Sequence, residues 1–443
     1  MDGAQSAKEG PGAGKRILRN VGMLLGGKGF GAVSSLAYLA ILSRSLGVKD
    51  FGHFSLIFGI TLTVNALCSF ATWQMIIRFG TEHLAAGRDR AFGRLSILGG
   101  LVDAFGALIG SVLAVIGFFL LADALEVNPA YRDMALLFVV AMQWARVSAP
   151  YGILRALDRF DLSVYVGAVT PAGRLLAAVA IWLTDPSVGR FLFAWAAVEF
   201  LSAAVTWYTA WRLRPDVLRL SALKEWRQSL AENPGLRRFL GVTYMSSSVH
   251  ALIAQGPLLA VGYLFGTSAA GVYRIAEQLA MGLGKLAIIL SDSIYPELNK
   301  ERHGSPARQF QRLVRQVSLS VLVVSVAAVA LAVWLGEDIL VLISGEAFIA
   351  GGAIMVPLVL AASFELASVS YESVLHSTGK ARYQLYVRII GLMVLAAAVW
   401  AVRDVSSLAV GWMVTLAQGA IYALMTLAVW AVLRRLVKAE RAA

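Results

Sequence analysis

Cysteine and charge are the two things this chain has least of. Cys68 is its single cysteine, which excludes a disulfide framework and a cysteine-built metal site. Charged residues are 15% of the 443 positions, well under the roughly one quarter usual in soluble domains, while 58% are hydrophobic. That balance excludes a soluble domain of this size. The five histidines, His53, His83, His250, His303 and His376, are scattered without metal-ligand spacing, so no metal and no cofactor are expected. Long polar loops are missing as well. The longest on the side poor in basic residues, about 336–351, is short and acidic, with Glu337, Asp338 and Glu346. No loop is large enough for an extramembrane catalytic domain and no nucleophile–base pair stands out, so an enzyme is not expected.

What the chain has instead is twelve apolar stretches. They lie at about 18–42, 53–76, 95–121, 134–156, 163–183, 190–211, 239–265, 271–294, 313–335, 352–375, 384–402 and 406–433. Each is long enough, at 1.5 Å per residue, to cross roughly 30 Å of hydrocarbon. Lysine and arginine sort onto alternate sides of these stretches. The N-terminal tail, the even-numbered loops and the C-terminal tail hold 29 of the 39, and the odd-numbered loops hold only Arg44, Lys49, Arg132, Arg190 and Arg403. The positive-inside rule then puts both termini in the cytoplasm, and an odd number of crossings would scramble the alternation. The formal charge of +12 is spread along the inner loops, where it meets anionic headgroups, and is no nucleic-acid signature. The first apolar run is too long for a signal peptide and lacks a small-x-small cleavage site, so it is expected to stay as the first helix.

The two halves resemble each other at an offset near 219. LGVKDFGHF at 46–54 sits over FGTSAAGVY at 265–273, which pairs Gly47 with Gly266 and Gly52 with Gly271. AFGRL at 91–95, PAYRDM at 129–134 and RFDLSVYV at 159–166 find partners in QFQRL at 309–313, EAFIAG at 346–351 and KARYQLYV at 380–387. Four matches in order, at offsets of 217 to 221, argue for a duplicated six-helix unit. An even number of helices per unit gives both copies the same orientation, with substrate sites between them. The expected fold is an all-α membrane protein with twelve transmembrane helices in two six-helix lobes, related by a pseudo-two-fold axis along the membrane normal. The chain divides into a cytoplasmic tail (1–17), a first lobe (18–211), a basic linker (212–238) expected to be flexible, a second lobe (239–433) and a second cytoplasmic tail (434–443). The paired glycines sit in short turns, where φ > 0 carries no penalty and helix ends approach closely.

Charges inside the apolar stretches narrow the search for a site. The basic ones are Lys28, Arg146, Arg174, Arg274 and Lys285; the acidic ones are Asp103, Glu199, Glu277, Asp292, Glu365 and Glu372. A mid-helix charge facing lipid costs about 2.5–3.5 kcal/mol, so the set would cost on the order of 30 kcal/mol. That exceeds any plausible stability margin. These groups therefore line a hydrated cavity or pair with one another. Lys28, Arg146, Arg174, Lys285, Glu199 and Glu365 lie near mid-helix. Arg274, Asp103, Asp292 and Glu372 lie nearer the ends, where snorkelling to the interface is an equal reading. Lys28, Arg146, Arg174, Arg274 and Lys285 are the candidates for a cationic substrate cavity, which suits a phosphate or pyrophosphate. Glu199, Glu277, Asp292, Glu365 and Glu372 are the candidates for ion coupling or charge pairing, and Glu277 one turn from Arg274 is a neutralising partner for it. Pro150, Pro171, Pro257 and Pro357 interrupt helices, as hinges or as static kinks. The basic segments 78–94 and 295–312 have the make-up of amphipathic helices on the inner surface.

NVGMLLGGKGFGAVSSLAYLAILSRSLGVKDFGHFSL at 20–56, GVYRIAEQLA at 271–280, YPELNKE at 295–301 and GEAFIAGG…STGKARY between 345 and 383 resemble the polysaccharide flippase family. This is the Wzx-like branch of the multidrug/oligosaccharidyl-lipid/polysaccharide (MOP) exporter superfamily, and the resemblance runs over essentially the whole chain. It implies two six-helix lobes working by alternating access in a bacterial inner membrane. It also implies a polyprenyl pyrophosphate-linked oligosaccharide, destined for O-antigen, capsule or exopolysaccharide, moved from the cytoplasmic to the periplasmic leaflet. The implied partners are the lipid bilayer, that substrate and a polysaccharide polymerase of the same pathway, with no nucleic acid, and a monomer suffices. A peptidoglycan-precursor flippase or a drug or ion antiporter of the same superfamily is the alternative, and a polymerase or ligase stands further off. The antiporter branch generally carries a carboxylate in helix 1, where this chain offers Lys28.

Overall fold

The computed structural model describes residues 13–121, 128–215, 218–292, 307–377 and 381–442. Among them every regular element is helical: α1 (Ala13–Leu67), α2 (Thr72–Ala85), α3 (Asp89–Leu121), α4 (Arg132–Trp144), α5 (Ser148–Ala156), α6 (Phe160–Trp182), α7 (Val188–Leu213), α8 (Trp226–Glu232), α9 (Leu236–Asp292), α10 (Ala307–Ser344), α11 (Gly351–Ser377), α12 (Ala381–Ala401) and α13 (Ser407–Ala442). Three 3₁₀ turns, at Pro129–Tyr131, Leu220–Glu225 and Glu346–Phe348, join some of them. Ten stretches among the described residues are long and apolar enough to cross a membrane. Many of their large hydrophobic side chains face outward, Phe119, Leu176, Phe193, Val323 and Trp334 among them. A soluble protein does not tolerate so continuous an apolar exterior, and hydrocarbon does.

Two of the ten stretches are double length. α1 and α9 each contain one residue with non-helical backbone, Gly47 (φ 69°, ψ 179°) and Gly266 (φ 83°, ψ 176°). The two glycines have nearly the same conformation 219 positions apart, as the aligned motifs predict. A left-handed φ with extended ψ folds a helix back on itself, and glycine alone adopts it without strain.

These two hairpins pack against each other more extensively than any other pair of elements. Close to the bends Gly52 and Gly271 meet. A Cβ on Gly52 would overlap the Thr267 carbonyl oxygen, and a Cβ on Gly271 would lie 2.6 Å from the Val48 carbonyl and 3.2 Å from Gly52 Cα. The backbones are therefore in direct contact at this end. Phe51 of α1 meets Phe348 edge-on, with centroids 5.7 Å apart. Arg44 reaches the last turn of α10, where its guanidinium donates to the carbonyls of Ile343 at 3.0 Å and Leu342 at 2.5 Å. A cation on orphan C-terminal carbonyls is favourable because it meets the negative end of the helix dipole.

Several elements depart from the sequence reading. The second apolar stretch, expected as one helix over 53–76, breaks after Leu67 and resumes at Thr72, with Ala71 in the left-handed region (φ 48°). The fourth, expected over 134–156, breaks at 145–147. Pro150 accounts for this second break, since its ring clashes with the carbonyl of Arg146 four residues back and it offers no N–H. The segment 78–94 forms no separate surface helix. α2 runs on to Ala85 and α3 starts at Asp89. Much of its counterpart at 295–312 lies outside the described residues. The loop expected over 336–351 is helical as far as Ser344.

The segment joining α7 to α9 is no loose tether. Leu218 and Leu236 are buried in a core shared with Met75, Phe92 and Leu95. Arg94 of α3 forms ion pairs with Glu232 and, at 3.1 Å, with Glu225. Arg214 reaches Asp89 at 2.8 Å, and the buried His83 Nε2 lies 3.0 Å from Asn233 Oδ1.

Candidate functional site

The side chains of Lys28, Lys285, Asp292 and Glu372 lie outside the described residues. The other six candidates, and Asp103 with them, fall into three places.

The first is the double helix break. The breaks after α1 and after α4 lie side by side, and Arg146 stands between them with 9% of its surface exposed. Its Nη1 donates to the Cys68 carbonyl at 2.7 Å, its Nε to the Gln143 carbonyl at 2.9 Å and its Nη2 to Gln143 Oε1 at 3.0 Å. Asp103 of α3 serves the opposite ends. Its Oδ1 accepts from Thr72 Oγ1 and its Oδ2 from the Ala149 backbone N–H, each at 2.8 Å. Ser148 Oγ accepts from the Trp73 N–H at 3.2 Å. The cation thus satisfies carbonyls where two helices stop, and the anion satisfies the starts of the next two. Both charges sit at the dipole ends that favour them. In this arrangement Arg146 is committed to backbone, and Asp103, which the sequence leaves open as a snorkelling charge, is buried. Tyr244 of α9 reaches the same break. Its hydroxyl donates to the Leu67 carbonyl at 2.9 Å, and its ring stacks on Phe70 with centroids 5.0 Å apart.

The second place is the α6–α7 interface. Arg174 Nη2 and Glu199 Oε1 are 2.7 Å apart, with side chains 12% and 17% exposed. The guanidinium also lies over the rings of Phe58 and Trp195, 5.3 and 5.5 Å from their centroids. This geometry is that of an interhelical ion pair clamped by aromatic faces.

The third place is a cavity within the C-terminal half. Two adjoining compartments of about 320 and 240 Å³ share His250, Ile253, Glu365 and Gln418. α9 contributes His250, Tyr273 and Glu277 to the larger one, α11 Glu365 and α13 Gln418. Ser368 and Arg388 line the smaller one. Arg274 Nη1 bonds Glu277 Oε2 at 2.6 Å, and both side chains are buried. His250 is exposed and Glu365 half-buried, so the cavity is reached from outside, and the buried Glu277 that holds Arg274 forms part of its wall. On the same two helices, α11 and α13, the rings of Phe364 and Tyr371 both stack on Tyr422, with centroids 5.7 Å apart in each case. The arrangement offers a carboxylate, an imidazole, an amide and a guanidinium around the two compartments. Of these, the imidazole and the carboxylate are the groups able to exchange a proton, and the amide and guanidinium can only hydrogen-bond. Among the described residues no cluster of His, Cys, Asp or Glu has the grouping of a metal site.

Of the sequence candidates, then, Glu277, Glu365 and Arg274 come together, and Arg174 meets Glu199. Sequence reasoning missed His250, Gln418 and Arg388 as cavity residues. His250 and Gln418 are polar positions in the middle of apolar runs, which is a readable signal. Arg388 was grouped with the inner-loop charges, although it lies two turns inside α12.

Comparisons with known proteins agree with this architecture. The chain is 25% identical over 295 residues, 65% of its own length and 81% of the relative's, to the inner membrane protein YghQ of Escherichia coli strain K12. An inward-facing multidrug resistance MATE family transporter of the MOP superfamily superimposes with a TM-score of 0.71 at 11% identity, covering 92% of this chain and 96% of the other. The lipid II flippase MurJ in an inward closed conformation gives a TM-score of 0.72 at 11% identity, over 94% and 90%. Residues 17–300 match the family described as polysaccharide biosynthesis protein. The chain belongs to the polysaccharide biosynthesis protein family and carries the fold that MATE transporters and MurJ share within the MOP superfamily.

Proposed function

We propose that this protein is an inner-membrane flippase, not an enzyme, which moves polyprenyl pyrophosphate-linked oligosaccharide units from the cytoplasmic to the periplasmic leaflet by alternating access. The family match over residues 17–300 is the observation that carries the substrate class. A pyrophosphate with several sugars cannot cross hydrocarbon unaided. A protein that shields the head group while the isoprenoid tail stays in lipid needs two lobes that part on one side at a time.

The reading counts α1 and α9 as two crossings each, and the broken pairs α1/α2 and α4/α5 as continuing one crossing apiece, which makes twelve in two lobes of six. Gly47 with Gly266, Gly52 with Gly271, and the 3₁₀ turns at Pro129–Tyr131 and Glu346–Phe348 are the paired positions of its pseudo-two-fold axis. The charge pattern makes the Gly47 end periplasmic and both termini cytoplasmic. The glycine contact and the Arg44 bonds then form a closed outer gate, and transport requires that they separate. Lys28 and Lys285 are the cations assigned to the pyrophosphate. Glu365, with His250 and the Arg274–Glu277 pair, is assigned to proton coupling in the C-terminal lobe.

Deleting the gene in its native bacterium and extracting lipids tests the reading. The expected result is build-up of a polyprenyl pyrophosphate glycan on the inner leaflet with loss of surface polysaccharide. Unchanged lipid intermediates would sink it. The likeness to the lipid II flippase MurJ favours one second reading, transport of a peptidoglycan precursor. In that case the deletion accumulates peptide-bearing lipid intermediates and weakens the wall, while surface polysaccharide persists.

A further inference from the structure

We infer that the segment joining the two halves forms a phosphate-recognising site at the end of the bundle opposite Gly47, and that its ligand is the head group of an anionic phospholipid. The site is a cleft of about 610 Å³ between α8 and the start of α9. Trp226, Arg227, Leu230, Asn233, Arg237 and Arg238 line it.

Its charge is uncompensated by design of the neighbourhood. The two carboxylates nearest in sequence, Glu225 and Glu232, are both engaged by Arg94 on the far side of α8. Among the described residues no ion pair to a carboxylate is formed by Arg227, Arg237 or Arg238. All three are exposed. The cleft is held in shape by bonds that do not involve them. Asn233 Nδ2 donates to the Ser229 carbonyl at 2.7 Å, His83 lies against Asn233 Oδ1, and Leu236 is anchored in the core. Gly235, with φ 88°, turns the chain so that α9 begins at the cleft floor. The first-turn N–H groups of that long helix add the positive end of its dipole to the guanidinium groups. Three arginines around one concavity bind phosphate oxygens through their planar forks.

A lipid source fits the rest of the lining. Trp226 and Leu223 are exposed beside the arginines, and Arg227 lies over the Trp226 ring, 5.4 Å from its centroid. An indole and a leucine among arginines match the headgroup layer, where an apolar body and a polar rim are both solvated. The start of α9 beside the cleft is packed against α2. Phe239, one turn into α9, packs edge-on against Phe79 of α2 and carries the Arg78 guanidinium 4.9 Å above its ring.

The test uses the full-length chain, purified and delipidated in detergent, with native mass spectrometry and thermal midpoint as readouts. Phosphatidylglycerol, phosphatidylcholine and inorganic phosphate are titrated separately. Phosphatidylglycerol is expected to remain bound and raise the midpoint, and phosphatidylcholine is not. In R227Q/R237Q/R238Q the half-saturating lipid concentration rises by about tenfold or more. R88Q/R90Q, which removes exposed charge elsewhere, retains the parent response. If inorganic phosphate alone reproduces the shift and the triple variant abolishes it, phosphate recognition stands and the lipid source is overturned. Equal effects of the two lipids, or a triple variant that binds phosphatidylglycerol like the parent, overturn the site. Should the triple variant misfold, Arg227→Gln and Arg238→Gln carry the test singly, each expected to weaken binding by about threefold or more.

Discussion

A buried cation is explained by its partners. Arg146 reads in the sequence as a cavity charge, and in the fold it holds the ends of two broken helices. Removing it strands carbonyls in a medium without water, at about 1–3 kcal/mol apiece. Arg174 with Glu199 is a second case, since a buried charge that loses its partner costs about 3–5 kcal/mol. Both Arg146→Ala and Arg174→Ala are accordingly expected to lower the thermal midpoint and the amount of protein in the membrane. The double change Arg174→Gln with Glu199→Gln is expected to recover much of the loss, because no lone charge remains. Normal abundance and midpoint with failed transport would instead make these residues substrate contacts. The sequence offers Glu199 as a charge-pairing candidate, but it does not say which cation Glu199 meets or that Arg146 serves broken helix ends. Arg146 and Cys68 are far apart in sequence, as are Arg174 and Glu199, and only the packing of four helices brings them together.

At the scale of elements, the bends and the breaks do different work. The bends at Gly47 and Gly266 were legible, because two aligned glycine motifs at one offset demand a common local conformation. The breaks at 68–71 and 145–147 were not. Pro150 pointed to an interruption, but nothing local marks Ala71, whose left-handed backbone is held by the bonds around Asp103 and Arg146. The closed contact between the hairpins depends on having no side chain at Gly52 and Gly271. Gly271→Val is therefore expected to force that end apart. With Cys68 replaced by serine, a Phe51→Cys reporter, buried in the parent, is expected to react with a membrane-impermeant maleimide in the valine background and to stay unreactive without it. Equal labelling in both backgrounds, at equal abundance, would remove the glycine contact from the gate.

The whole molecule works, in this reading, only if the two hairpins separate and rejoin. Bridging Val48→Cys to Thr267→Cys with a short bifunctional maleimide is expected to abolish export of surface polysaccharide while leaving the protein folded and in the membrane. Undiminished export by the bridged protein would mean that this end never opens. Membrane character and the positions of the apolar runs were already determined by the sequence, because hydrocarbon imposes length and apolarity on each segment independently of its neighbours. The duplicated glycine turns were determined there too, since backbone conformation at glycine is local. Which buried charges cap helices, which pair and which line a cavity was decided only by tertiary structure. A charge in a low-dielectric interior is governed by groups within a few ångströms of it, and those groups come from distant parts of the chain.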